Sequence, residues 1–113
     1  MSQQQQDETK HPSFTETKKQ NAMLVVRTAT GDRFQLPYHH LLGAHYQPKS
    51  DTGEIYILEF AFHILRIVGA NLLPMVSAID EMKVRLVKPA AEDTPQTHVR
   101  ISRIDVAYRH EGD

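Results

Sequence analysis

Four histidines in the middle of the chain are the residues best suited to chemistry. They are His39, His40, His45 and His63. Neutral imidazoles hold a divalent metal ion when their nitrogens converge at about 2.0–2.1 Å from it. His39 and His45 have the same parity on an extended strand, so a small metal-dependent enzyme using these two and His63 is one hypothesis. The chain lacks the His-Glu-x-x-His spacing of helical zinc sites, which favours a surface or interface role and no bound metal or other cofactor.

The same region suggests a second use, because imidazoles and aromatic rings stack on the unpaired bases of single-stranded RNA. Tyr38 lies beside His39 and His40, and we expect its ring to be exposed, like that of Tyr46. Tyr56, Phe60 and Phe62 fall in an apolar run and are expected in the core. Two basic residues of a later strand, Lys83 and Arg85, could contact phosphates, although a solvated strand face is the favoured explanation of their spacing.

No other residue pattern indicates catalysis. The chain has no cysteine, which excludes disulfides, thiolate nucleophiles and cysteine-based metal sites. Ser77 lacks the glycines of a nucleophile elbow, and the glycines are scattered singly rather than gathered in a phosphate-binding loop. Glu59 lies within an apolar run, where we expect either a structural ion pair, with Arg66 as the natural partner, or an exposed edge position. We therefore predict no catalytic residues, no enzymatic activity and no small-molecule substrate.

The net charge and the hydropathy of the chain limit the classes of partner that it can bind. The formal net charge is −1, so any attraction to RNA phosphates must come from a local patch. Met1 to Asp7 has neither the basic nor the apolar region of a signal peptide. The longest apolar stretch, Phe60 to Leu73, is interrupted by His63 and Arg66 and is too short to span a bilayer. Together with the lack of cysteine, this predicts a cytoplasmic protein with no membrane partner.

The elements that must position these residues are mostly short strands. Residues 23–36 read as a β-hairpin that turns at Gly31. A single turn is expected over 38–43, and a strand over 42–46. Residues 54–68 form a run that is apolar on both faces, which indicates central strands or a subunit interface, with a sharp bend near 60–63.

The remaining elements complete a β domain. A helix is expected over 71–81 with Asn71 as its N-cap, then strands over 83–87 and 99–108, the latter with a bulge at Ser102 and Arg103. We predict a mainly β fold, either a small barrel or a strongly bent antiparallel sheet of five or six strands, with one short helix.

The chain is long enough for one domain. Residues 1–22 are rich in Gln, Thr and Lys, with Phe14 as the only large apolar side chain, and are expected to be a disordered N-terminal tail. A single β-barrel domain would span residues 23–109, and a short C-terminal tail would span residues 110–113.

Two stretches resemble the Sm-like proteins. Residues 23–36, MLVVRTATGDRFQL, are similar to the first hairpin of that family, and residues 65–72, LRIVGANL, are similar to its second motif. Gly69 and Asn71 match that motif, and Val68 stands where it has Arg. The family's first motif, Asp-x-x-Met-Asn, is replaced by Tyr-His-His-Leu-Leu over residues 38–42.

This resemblance implies that the barrel is SH3-like or Sm-like. It also implies a non-enzymatic module that assembles into homo-oligomeric rings by strand addition and binds RNA on loops at the pore. Gly69 and Asn71 are the residues of this chain that match the family's RNA-binding loop. His39 and His40 would substitute for the residues of the missing first motif. The alternative is a structural or adaptor protein that pairs with another protein through a sheet edge.

Overall fold

The structure, a computed structural model, describes residues 8–109. The expectations for residues 1–7 and 110–113 lie outside the described part. The described residues form nine strands, a 3-10 turn and one helix, in the order β1 (Glu8–Lys10), β2 (Phe14–Thr17), β3 (Met23–Arg27), β4 (Arg33–Pro37), 3-10 turn (Tyr38–His40), β5 (Leu41–Gln47), β6 (Glu54–Phe60), β7 (His63–Ala70), α1 (Leu73–Asp80), β8 (Val84–Val87) and β9 (Arg100–Tyr108).

A five-stranded sheet has the strand order β1-β2-β8-β3-β4. The predicted hairpin is confirmed: β3 and β4 pair antiparallel, with Leu24 opposite Leu36, and Gly31 takes a φ of 93° in the turn between them. Strand β8 returns late in the chain to lie parallel to β3 and antiparallel to β2. The centre of this sheet therefore depends on contacts between distant parts of the sequence.

A four-stranded sheet has the order β5-β6-β7-β9 and is antiparallel throughout. The apolar run 54–68 folds back on itself as predicted, with the turn at Ala61 and Phe62. Its two arms, β6 and β7, are the central strands of the sheet. The bulge in β9 is also confirmed, because Ile101 and Arg103 lie opposite the consecutive residues Gly69 and Val68.

One hydrophobic core joins the two sheets and the helix. Alternate side chains of β6 and β7 point into it, as period-two strands require. Its fully buried members include Leu24 and Val26 from the five-stranded sheet, Leu58 from the four-stranded sheet, and Met75 from α1.

The predicted barrel is corrected to an open arrangement. The mainly β fold with one short helix is confirmed, but there are nine described strands in two sheets rather than five or six in a closed barrel. The chain passes between the sheets three times, through the 3-10 turn after β4, through α1 after β7 and through the linker after β8, and no described ladder joins the sheets. Two of the nine strands, β1 and β2, form where none was expected.

Those two strands correct the expectation of disorder for residues 8–22. Strand β2 pairs with β8, and Phe14 is only 2% exposed in the core. The Ser13 hydroxyl accepts a hydrogen bond of 2.9 Å from the Ile101 N–H. The one large apolar residue, Phe14, is enough to order this segment because the part of the core that buries its ring is formed by residues about 70 to 90 positions later in the chain.

The helix also begins later than expected. Its N-cap is Leu72, with no side-chain cap, whereas Asn71 takes a φ of 58°. The Glu54 carboxylate performs the capping role instead, accepting hydrogen bonds from the Asn71 N–H at 2.6 Å and the Leu72 N–H at 2.9 Å. No helix within residues 8–109 has the length and hydropathy needed to cross a membrane.

Candidate functional site

Five rings gather at one end of the four-stranded sheet. We call them the ring cluster: His39, His40, Phe62, His63 and Tyr108. They meet because the 3-10 turn, the β6–β7 turn and the end of β9 converge there. The Ala61 N–H donates to the His40 carbonyl at 2.8 Å, and the Arg109 N–H donates to the Phe62 carbonyl at 3.0 Å. Backbone hydrogen bonds therefore fix the positions of all three segments.

The rings contact one another in two groups. His40 lies 4.5 Å from His39 and 5.7 Å from Phe62 between ring centroids, both edge to face. His63 lies 4.9 Å from Tyr108, tilted by 41°. These are ordinary geometries for aromatic pairs.

Three rings of the cluster are open to solvent. Phe62 is 63% exposed, Tyr108 is 68% exposed and His39 is also exposed, while His40 and His63 are partly buried. Apolar rings held by neighbours yet left exposed can stack on a flat ligand without rearranging.

A positive charge accompanies these rings. Arg109 follows Tyr108 directly, and its Nη1 donates to the Phe60 carbonyl at 3.5 Å. This contact places the guanidinium beside the β6–β7 turn. The site therefore combines exposed ring faces with a cation, which are the two components that single-stranded nucleic acid requires.

Tyr38 does not belong to this surface. Its ring is 4% exposed, and its hydroxyl donates to the buried Val84 carbonyl at 2.7 Å, so the expectation of exposure is wrong. Burial raises the pKa of the Tyr38 hydroxyl above its ordinary value, although the hydrogen bond to Val84 opposes that shift. Tyr46 is also partly buried, and its hydroxyl donates to Glu54 at 2.8 Å.

Gly69 and Asn71 lie at the opposite end of β7 from the ring cluster, roughly 25 Å away at about 3.3 Å per residue. A Cβ at Gly69 would overlap the Arg100 carbonyl. The Asn71 amide donates to the carbonyls of Gln96 and His98 at 2.6 and 3.1 Å. Their contacts hold the chain between β7 and α1 against the linker that precedes β9.

Lys83 and Arg85 lie away from the four-stranded sheet, at and beside β8. The Lys83 Nζ is 3.2 Å from Glu81 Oε1, and the Arg85 Nε is 2.7 Å from Glu8 Oε2. Each of these two cations therefore has a carboxylate partner. The structure brings together only His39 and His40 from the predicted RNA-binding set.

The metal hypothesis finds no geometric support. Within residues 8–109, no three His, Cys, Asp or Glu side chains are placed to share a metal ion. His45 lies on β5 opposite Ile57, away from the ring cluster.

The expected pair between Glu59 and Arg66 is wrong. Arg66 lies opposite Ile57 on β6, and its Nη1 is 4.0 Å from Asp105 Oδ2. Glu59 is exposed opposite Ile64. The two strands do pair as a hairpin, but the register separates the two charged residues.

Sequence reasoning missed Phe62, Tyr108 and Arg109. Tyr56 and Phe60 are buried as predicted, but the turn at Ala61 and Phe62 leaves the Phe62 ring outside. The sequence feature that could have identified Phe62 was the position of an aromatic residue at the expected bend, where side chains leave the sheet.

No protein-family model, curated protein or solved structure matches this chain.

Proposed function

We propose that this chain is a non-enzymatic, Sm-like module of the cytoplasm that binds single-stranded RNA on the ring cluster. The observation that supports the proposal is the pair of exposed rings, Phe62 and Tyr108, each backed by a histidine. An exposed aromatic side chain on a turn has no role in the core. It is suited to stacking on a base, which carries a flat face whatever its sequence.

Stacking would supply most of the affinity. The net charge of −1 gives no general attraction to phosphate, and Arg109 is the cation placed at the cluster. Binding should therefore depend only weakly on salt, because the slope scales with the number of phosphates neutralised. Sequence preference should also be modest, because stacking on a ring face does not distinguish one base from another.

The test is fluorescence anisotropy with short labelled U-rich and A-rich RNA across a salt series. Phe62→Ala should weaken binding by about tenfold, because stacking contributes about 1–3 kcal/mol per base. Leu73→Ala is the matched control, since Leu73 is 55% exposed on α1, outside the cluster. Failure to bind either RNA at low salt would exclude the proposal.

Self-association is a second candidate, favoured by the open edge of β5. This edge strand is seven residues long, carries no Lys, Arg, Asp, Glu or Pro, and leaves Leu42 65% exposed. Soluble proteins usually protect edge strands with charges, prolines or a covering element. An unprotected edge is suited to pairing with β5 of a second copy, which would give a homo-dimer rather than the ring that the Sm-like resemblance implies.

Light scattering tests this second candidate. The chain should be larger than a monomer, and Ala44→Lys on β5 should dissociate it by placing a charge on the pairing edge. Ala107→Lys on β9, the other edge of the same sheet, should leave the mass unchanged. A strictly monomeric wild-type protein contradicts self-association.

A further inference from the structure

A cavity of about 390 Å³ lies at the end of the four-stranded sheet opposite the ring cluster. Gly53, Gly69 and Ala70 line one part of it, and Ala90 and Ala91 of the linker before β9 line another. Cavities that hold small molecules span about 300–1,000 Å³. The small side chains leave the space open and expose the backbone to whatever enters.

Arg100 lines this cavity and is the residue there with unmet hydrogen-bonding capacity. Its Nε is shielded from solvent and has no hydrogen-bond partner within residues 8–109. No carboxylate of that range lies within ion-pair distance of its guanidinium. The Nε–H is too shielded for a ligand to reach, so a ligand in the cavity would pair with the other N–H groups of a guanidinium that has no carboxylate partner within residues 8–109.

A second cation, Lys49, lines a neighbouring cavity. An adjoining cavity, also about 390 Å³, shares Gly53, Gly69 and Ala70 with the first and is lined by Lys49. Two acidic residues line the two cavities. The oxygens of Glu54 are occupied by the N–H groups of Asn71 and Leu72, whereas Glu92 is exposed at the rim of the first cavity.

We propose that this cavity binds a small organic oxyanion, with the phosphate or carboxylate group held by Arg100. The planar guanidinium matches either group through paired N–H donors. The uncharged body of the ligand would lie on the floor of Gly53 and Ala70, and Lys49 would add attraction from the far side. This site is separate from the ring cluster and does not depend on RNA binding.

Calorimetric titration of the full chain tests the proposal, with ribose 5-phosphate, inorganic phosphate and succinate as separate probes. One probe should bind at one site per chain, and the comparison identifies phosphate or carboxylate as the preferred group. Arg100→Gln should weaken that binding by about tenfold or more, as expected for loss of a charge-assisted pair. Arg103→Gln is the matched control, because Arg103 lies on the same strand, is exposed and pairs with Asp105 at 2.9 Å.

A second readout applies if Arg100→Gln does not fold. In the wild-type protein, the bound probe should shift the amide resonances of Gly53, Gly69 and Ala70 and leave those of Phe62 and Tyr108 unchanged. Unaltered affinity in Arg100→Gln, shifts confined to another region, or no saturation by any probe at millimolar concentration would each overturn the proposal. Failure of RNA binding alone would leave it intact, since Phe62→Ala does not touch this cavity.

Discussion

The ring of Phe62 lies edge to face with the imidazole of His40, with 5.7 Å between their centroids. His40 ends the 3-10 turn that joins the two sheets, and Phe62 lies in the turn between the two central strands of one sheet. The Ala61 N–H bonded to the His40 carbonyl keeps the two segments together. The exposed ring is therefore held by backbone contacts that do not depend on a ligand.

The N-terminal segment should be necessary for folding. Phe14→Ala removes a ring that is 2% exposed, and we expect a loss of about 3–5 kcal/mol in the free energy of unfolding. Urea denaturation followed by circular dichroism measures this loss. Phe62→Ala, the same change at an exposed ring, should cost little. Equal stability of Phe14→Ala and the wild type would mean that residues 8–22 are not part of the fold.

The Glu54 carboxylate should make stability depend on pH. Burial raises its pKa, but hydrogen bonds from the Leu72 N–H, the Tyr46 hydroxyl and the Asn71 N–H outweigh that effect, and the net pKa lies below its ordinary value. The stabilisation is therefore complete above the unfolded pKa of about 4.3 and is lost as pH falls through the lower folded value.

Glu54→Gln should lower stability at neutral pH by about 1 kcal/mol, because solvent still reaches part of the group. It should also flatten the decline in stability below the unfolded pKa. Glu59→Gln is the matched control on the same strand, since Glu59 is exposed. Urea midpoints measured from neutral to acidic pH check both expectations. The Glu54 account fails if both variants follow the wild-type pH profile.

Gly69 should tolerate no side chain. A Cβ there would overlap the Arg100 carbonyl, so Gly69→Ala must push β7 and β9 apart at the bulge. We expect a loss of about 3 kcal/mol or more, visible as a lower thermal midpoint. Gly43→Ala on β5 meets nothing within 4 Å and should be neutral. Similar midpoints for the two variants would contradict the close approach.

Tyr38 should act only in folding. Tyr38→Phe removes the hydroxyl that donates to the Val84 carbonyl and leaves a buried acceptor without that partner. We expect a loss of about 1–2 kcal/mol in unfolding free energy and no change in RNA affinity. Parallel urea and anisotropy measurements separate the two effects. A folded Tyr38→Phe protein with weakened RNA binding would mean that Tyr38 contributes to RNA binding as well as to folding.

Strands and turns were predicted correctly where they depend on residues that are close together in the sequence. The hairpin that turns at Gly31, the bend after Phe60 and the bulge at Ser102 all follow from nearby residues. Phe14 shows the limit of such reasoning, since its polar neighbours indicate disorder and its burial comes from strands far along the chain. The two-sheet arrangement could not be predicted either, because it depends on β8 inserting between β2 and β3.

The candidate site was predicted only in part. His39 and His40 were identified from residue type, and the structure places them in the ring cluster. Phe62 was assigned to the core because its neighbours are apolar, although a shift of one position at a turn reverses the direction of a side chain. Tyr108 could be associated with His63 only after the pairing of β7 and β9 was known.

Stacking of RNA bases on Phe62 and Tyr108 is tested by anisotropy of labelled U-rich RNA with the double variant Phe62→Ala and Tyr108→Ala. The wild-type protein should bind at low salt, and the double variant should lose at least about tenfold in affinity while its urea midpoint stays unchanged. Wild-type affinity in a folded double variant would show that these two rings do not bind the RNA.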